Sequence, residues 1–304
     1  MQELLAALRA LQAPGTAALH LPWIRQARSR LAGLDVRPLL ALVPVTGYVP
    51  DFLGPPPASP ETTVGDDLAV IRATDPDRVR VELGHAVPQL GPPAARLVRA
   101  LQREPARTLT RLADLLEEAW DRLVEPDWPR VRALLLADVQ HRARTLADRG
   151  AEAMLDDVHR DVRWREGAVE LRVAYEREIE LGGRGLLLVP SAFLAKIAVV
   201  TDEPWQPTVV FPARGVALLW EDPPAAPEGL ARVLGATRAR LLVRLEAPAS
   251  TTELATQLGL APGGVSAHLT ALAAAGLLSA RREGRSVLYL RTPAADALLA
   301  AAGG

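Results

Sequence analysis

Between Leu230 and Arg291 the chain reads as short helices followed by two strands, and each boundary is marked by a residue that leaves the backbone little choice. Leu254 and Leu258 recur at a helical interval, as do Val265, Leu269 and Leu272. The spacing predicts helices at Thr237 to Leu245, Thr251 to Leu258 and Pro262 to Ala275, after a shorter one at Leu230. Thr251 or Ser250 supplies a cap for the Thr251 helix, with Glu253 or Leu254 following in its first turn. Gly259 allows the turn that ends it, and Pro262 presets the dihedral that starts the next helix. Gly276 stops that helix. Leu277 and Leu278 then lead into a strand carrying Arg281 and Arg282, Glu283-Gly284-Arg285 makes a hairpin tip, and Val287 to Arg291 returns.

With Val265, Leu269 and Leu272 facing inward, Gly263, Gly264, Ser266, Ala267 and Thr270 face outward, and His268 sits between the two faces. Small side chains there permit close approach of a partner. The whole chain is near neutral, with 35 basic and 36 acidic residues. The balance is uneven, however. Eight arginines face five acidic residues after Pro227, a net of +3, and 27 basic face 31 acidic residues before it, a net of −4. Any affinity for a polyanion is therefore expected at the C-terminal end.

These residues resemble a known family. Leu254-Ala255 through Leu258-Gly259, then Val265-Ser266-Ala267-His268-Leu269, Leu272, Ala275-Gly276-Leu277-Leu278, Arg282-Glu283-Gly284-Arg285 and Tyr289-Leu290 look like the ArsR-type winged helix-turn-helix regulators. The resemblance implies a homodimer on a pseudo-palindromic duplex DNA operator. It places Gly263, Gly264, Ser266, Ala267, His268 and Thr270 at the major groove and Arg281, Arg282 and Arg285 on the wing. Metal-sensing members use cysteines, or Asp and His on the last helix. This chain has no cysteine, and its last helix offers Asp296 without histidine, so metal sensing of those types is excluded. Ala261 also stands where a hydroxyl residue often caps the recognition helix. His20-Leu21-Pro22-Trp23, Leu34-Asp35 and Gly47-Tyr48-Val49-Pro50-Asp51-Phe52-Leu53 are similar to a domain that accompanies this helix-turn-helix in some long members, without an assigned chemistry.

Upstream, Leu4, Leu5, Leu8 and Leu11 have helical spacing, as do Trp23, Ile24, Ala27 and Leu31. Gly54 to Pro60 is a loop, because its prolines lack donors and fix their own dihedrals. Helices follow at Ala94 to Leu101, through Leu109 to Leu123, and after Pro126 to about Asp148, the last capped by Asp127 with Pro129 in its first turn. Past Gly150, strands are expected at Gly167 to Tyr175, Arg177 to Leu181, Leu186 to Val189, Ile197 to Val200 and Thr208 to Phe211. Helices first and strands second predict an α+β fold. The expected domains are a regulatory region 1–221, helical over 1–160 and strand-rich over 161–221, a proline-rich linker 222–227, and a winged helix-turn-helix with dimerisation helices over 228–304.

Trp164, Tyr175, Trp205 and Phe211, with Phe193 and Trp220, concentrate aromatics in the strand-rich part, where they line a pocket for a flat apolar effector or pack a core. Asp156, Asp157, His159 and Asp161 read as a solvated helix end rather than metal ligands, and Glu176, Glu178 and Glu180 as the wet face of a strand. No phosphate loop, nucleophile elbow or metal cluster stands out, so no catalytic residue, cofactor or metal is expected. With no leader-like start and no apolar run long enough for a membrane span, a cytoplasmic protein without a membrane partner is expected. The expected function is a homodimeric, DNA-binding transcriptional repressor released by a small molecule bound in the N-terminal region. An enzyme with an appended DNA-binding module, or a regulator whose N-terminal region only dimerises, stays open.

Overall fold

A computed structural model describes residues 1–173, 176–220, 226–246, 248–258, 260–283 and 286–302. The chain divides into two compact units, one of Met1–Trp128 with His141–Val216, the other of Pro129–Gln140 with Ala217–Gly304. Residues 129–140 thus group with the C-terminal segment, although they lie within the expected region 1–221.

The first unit begins with α1 (Gln2–Gln12), α2 (Leu21–Arg30), α3 (Arg37–Leu42), α4 (Val64–Arg72), α5 (Pro76–Ala86), α6 (Pro92–Arg103) and α7 (Pro105–Leu123). Their apolar stripes meet in a core that includes Leu4, Leu8, Trp23, Leu39, Leu42, Phe52, Leu83 and Leu112. Sequence periodicity did not mark α3, α4 or α5. Yet α4 opens on a reciprocal cap, in which the Thr63 N–H donates to the Asp66 carboxylate at 2.8 Å and the Asp66 N–H to the Thr63 hydroxyl at 3.2 Å. α5 starts at Asp75-Pro76, where the Asp75 carboxylate accepts from the Asp77 N–H at 2.8 Å. α8 (Trp128–Asp156) is interrupted at Gly150, whose φ of 84° and ψ of 175° suit glycine. Pro129 sits in its first turn as expected, but Asp127 does not cap it. That carboxylate is taken by the Arg30 guanidinium at 2.7 Å.

The strands of this unit depart from their expected bounds: two are shorter than the sequence suggests, two run one or two residues further, and the first, Val162–Arg165, was not expected. β1 (Val162–Arg165) and β2 (Ala168–Leu171) form a hairpin closed by Glu166 and Gly167, both at positive φ. β3 (Leu187–Ser191), β4 (Ala198–Val200) and β5 (Thr208–Pro212) form a second sheet of order β3-β5-β4, with β3 parallel and β4 antiparallel to β5. The described residues between Arg177 and Leu181 form no strand, so that expectation is corrected: charged and apolar residues alternate there, but no neighbouring strand supplies a ladder. Glu3 on α1 ties the turn after β3 to the helices, its carboxylate accepting from the Ala192 N–H at 3.0 Å and the Phe193 N–H at 3.3 Å. Phe193 then stacks against Trp23 and His20, with ring centroids 4.5 and 4.8 Å away.

The second unit contains α9 (Glu228–Leu234), α10 (Ala236–Arg244), β6 (Ala249–Ser250), α11 (Thr251–Leu258), α12 (Pro262–Ala274), β7 (Leu278–Glu283), β8 (Ser286–Arg291) and α13 (Pro293–Ala302). The sheet has order β6-β8-β7 and is antiparallel throughout. Leu241, Leu242, Leu254, Val265, Leu269, Leu272 and Leu278 share one core. With helices in both units and only small sheets, the fold is α+β.

Candidate nucleic-acid interface

α11 and α12 are held at fixed entry points by local chemistry. Ser250 caps α11: its hydroxyl accepts from the Glu253 N–H at 3.3 Å, while the Glu253 carboxylate accepts from the Ser250 N–H at 2.7 Å. The other Glu253 oxygen receives Arg132 at 3.0 Å, an ion pair less than a third exposed on either side. One side chain thus closes a cap and binds residues 129–140 to the helix-turn-helix. Gly259 lies outside the described residues.

α12 begins without a side-chain cap, because Ala261 has no oxygen to offer; its carbonyl accepts from the Gly264 and Val265 N–H groups at 3.0 and 3.2 Å. Its end is fully determined. The Gly276 N–H donates to Ala273 and the Leu277 N–H to Leu272, at 2.9 and 3.0 Å, with Gly276 at φ 73°. That is a Schellman termination, and Leu277 packs back toward the core that holds Leu272. Thr292 then bonds back to the Leu277 carbonyl at 3.1 Å.

Between these ends Val265, Leu269 and Leu272 are buried, and Gly263, Gly264, Ala267 and Thr270 are exposed, with Ser266 and His268 half-buried. The Thr270 hydroxyl donates to the Ser266 carbonyl at 2.9 Å. A β-carbon added at Gly263 or Gly264 would meet nothing within 4 Å, and neither residue adopts the left-handed backbone that favours glycine. Neither packing nor conformation inside the chain requires these glycines. Beside this face, β7 and β8 pair through Arg282 with Val287 and Glu283 with Ser286. Arg281 and Arg282 are exposed and have no ion pair among the described residues. Gly284 and Arg285 lie outside the described residues. Sequence reading passed over Arg238 and Arg240 on α10, which are also exposed and extend the positive charge of this unit; lying on a buried amphipathic helix, they carried no motif.

The expected effector residues do not converge. Phe211 is core, packed with Val158, Val162 and Val209 and covered by the Arg142 guanidinium 4.6 Å from its ring centre. Trp164 sits half-buried on β1, opposite Val169. Trp205 lies before β5 under the guanidinium of Arg78, 5.2 Å from the ring centre. No ring contact joins these three among the described residues, and Tyr175 lies outside them. Asp157 pairs with His141 and Arg214, at 3.2 and 3.3 Å, and no cluster of described His, Asp or Glu residues could hold a metal ion. No helix of the described residues is long and apolar enough to cross a membrane.

Residues 71–217 match a family of unknown function (DUF5937), and residues 236–279 match a helix-turn-helix domain family. No curated protein and no solved structure matches the chain. The second match spans α10 to the start of β7, the same elements that bury one helix-turn-helix core and expose the small-residue face of α12, and it supports a DNA-binding transcription regulator.

Proposed function

We propose that this chain is a homodimeric transcriptional repressor of the ArsR type, whose second unit grips an operator and whose N-terminal region binds a small-molecule effector that releases the DNA. The supporting observation is the pairing of two surfaces: a face of α12 built from Gly263, Gly264, Ala267 and Thr270, and the exposed Arg281 and Arg282 on the adjoining hairpin, which have no ion pair among the described residues. The first suits close approach to a major groove, and the second suits phosphates. Ser266, His268 and the undescribed Arg285 complete the proposed contact set. Dimerisation is supported by α13, an apolar helix in which Leu298 and Leu299 are only half-buried, and by Val233 of the adjacent α9, which is 81% exposed.

The test is the salt dependence of binding to duplex sites recovered by mapping the protein on its own genome. Each phosphate contact contributes about 0.9 to the slope of log affinity against log salt, so replacing Arg281 and Arg282 with Ala should lower the slope by about two and weaken binding to all sequences alike. An unchanged slope would remove the wing from the interface. Turnover by the full chain on a metabolite, without any effect of that metabolite on DNA affinity, would favour an enzyme with an appended DNA-binding module.

A further inference from the structure

The Gly47 to Leu53 motif is left without a role by the DNA-binding reading, and it opens on a polar cluster in the first unit. Asp51 lies in a short turn after Tyr48. From α5 come Arg78 and Glu82, from the chain between β2 and β3 comes Arg177, and from the chain between β4 and β5 come Asp202 and Trp205. Glu82, on its buried side, accepts from the Arg78 guanidinium at 2.5 Å and from the Phe52 N–H at 2.9 Å. Asp202 receives Arg177 at 2.5 Å. Two of the three carboxylates thus have a guanidinium each, whereas Asp51 has no hydrogen bond or ion pair on its carboxylate among the described residues. Burial first, then the charges of Glu82 and Asp202, push the Asp51 carboxyl up to about 7 against the pull of Arg78 and Arg177.

Two further groups in this cluster are unsatisfied. Among the described residues the Tyr48 hydroxyl is buried without a hydrogen-bond partner of normal geometry, although it faces the Asp51 backbone, and the Trp205 indole N–H is buried with none. Such orphaned donors are costly, on the order of a lost hydrogen bond each, and a ligand acceptor would satisfy them. The surplus charge is one carboxylate. No described His, Asp and Glu residues converge as metal ligands, so an organic cation suits the site better than a metal ion. The Tyr48 ring, with His85 edge-on at 6.0 Å, adds an aromatic surface of the kind that favours cations.

We propose that Tyr48, Asp51 and Trp205 form a binding site for a small organic cation, a protonated amine that carries a hydrogen-bond acceptor beside the ammonium group. The ammonium pairs with Asp51, and the acceptor takes the Tyr48 O–H and the Trp205 N–H. This deepens the effector reading and rests on it, since it names the chemical class that would release the DNA.

Calorimetry on the full chain tests the site with 2-amino-1-phenylethanol as the probe and the uncharged 1-phenyl-1,2-ethanediol as its control. The amine should bind saturably and the diol at least tenfold more weakly. Asp51→Asn should weaken amine binding at least tenfold, and Tyr48→Phe, which removes only a hydroxyl without a partner and so spares the fold, several-fold. Because Asp51 titrates near 7, amine binding at pH 7 should release about half a proton, read from heats in two buffers of different ionisation enthalpy. Equal binding of the diol, undiminished binding by Asp51→Asn, or no saturation by about 10 mM would overturn the proposal. DNA affinity measured in the same samples separates the two readings. Amine binding with unaltered DNA affinity supports the site and removes its effector role. DNA release by another compound, equal in wild type and Asp51→Asn and without amine binding, removes the site and keeps the effector role.

Discussion

Replacing Gly263 and Gly264 by alanine together should make the protein more stable and a worse DNA binder, and the opposite signs are the point of the experiment. Both glycines lie in the first turn of α12, in backbone that alanine adopts freely, with nothing within 4 Å of an added β-carbon. A Gly to Ala change at such a position stabilises by about 0.4–1 kcal/mol, chiefly by restricting the unfolded chain, so the pair should gain roughly 1–2 kcal/mol. The same two methyls project from an exposed surface. If phosphates or base edges approach that turn closely, each methyl holds them off and leaves a hydrogen bond stretched, at a cost of about 1–3 kcal/mol, equivalent to a roughly five- to 150-fold loss of affinity. Urea unfolding and fluorescence anisotropy on the same samples give both quantities. Affinity that stays constant, or rises with stability, would show that the glycines only loosen the helix and that the groove-facing surface lies elsewhere.

Three other outcomes follow from the same local physics. Ala261→Ser should supply the cap that α12 lacks and raise stability by about 1 kcal/mol in urea unfolding. Glu253→Ala removes both the reciprocal cap at Ser250 and the ion pair to Arg132, so it should cost about 1–2 kcal/mol, with increased hydrogen exchange confined to α11 and residues 129–140. Burial, outweighing hydrogen bonds from Ser191, Ala192 and Phe193, pushes the Glu3 carboxyl up from 4.5 to about 7. The folded state therefore holds this proton more tightly than the unfolded chain, and stability from this group is lost as pH rises from about 4.5 to 7. Relative to Glu3→Gln, the wild type should lose on the order of 3 kcal/mol across that window, and parallel stability curves for the two proteins would refute the assignment.

The second unit was legible because nearly every boundary in it is set by a residue within a few positions of the boundary. Ser250 and Glu253 start α11, Pro262 starts α12, and Gly276 ends it with two bonds that reach back only to Leu272 and Ala273. The first unit offers fewer signals of that kind, and two that it does offer were passed over: the Thr63 and Asp66 cap and the Asp75-Pro76 start, each opening a short helix that buries only two or three apolar side chains. Other features have no local signature at all. Glu3 reads as an ordinary first-turn acid on α1, and its partners, the amides of Ala192 and Phe193, lie 189 and 190 residues away. Separation in sequence also hid the cluster around Asp51, whose members come from four separated segments, while aromatic content alone pointed to Phe211, which the core absorbs.

The composition of the α12 face bears on why two copies would be needed on DNA. A well-formed bidentate side-chain contact discriminates one base by about 1–3 kcal/mol, and Arg, Asn and Gln are the residues that make such contacts. α12 exposes none of these: its polar side chains are Ser266, His268 and Thr270, and the Thr270 hydroxyl proton is already donated to the Ser266 carbonyl. A single unit of this kind has ample charge at Arg281 and Arg282 to hold a duplex and little chemistry with which to tell one duplex from another. Discrimination then has to come from adding two weak readings across a fixed spacing and from the shape of the groove between them. On this argument the operator should tolerate base changes within each half-site far better than a change in the separation of the half-sites, since each inserted base pair rotates one half-site by about 34° relative to the other while the two-fold symmetry of the proposed dimer stays fixed. Binding that survives a half-turn insertion would mean that one copy reads enough by itself, and that the sparse face of α12 is not where the reading happens.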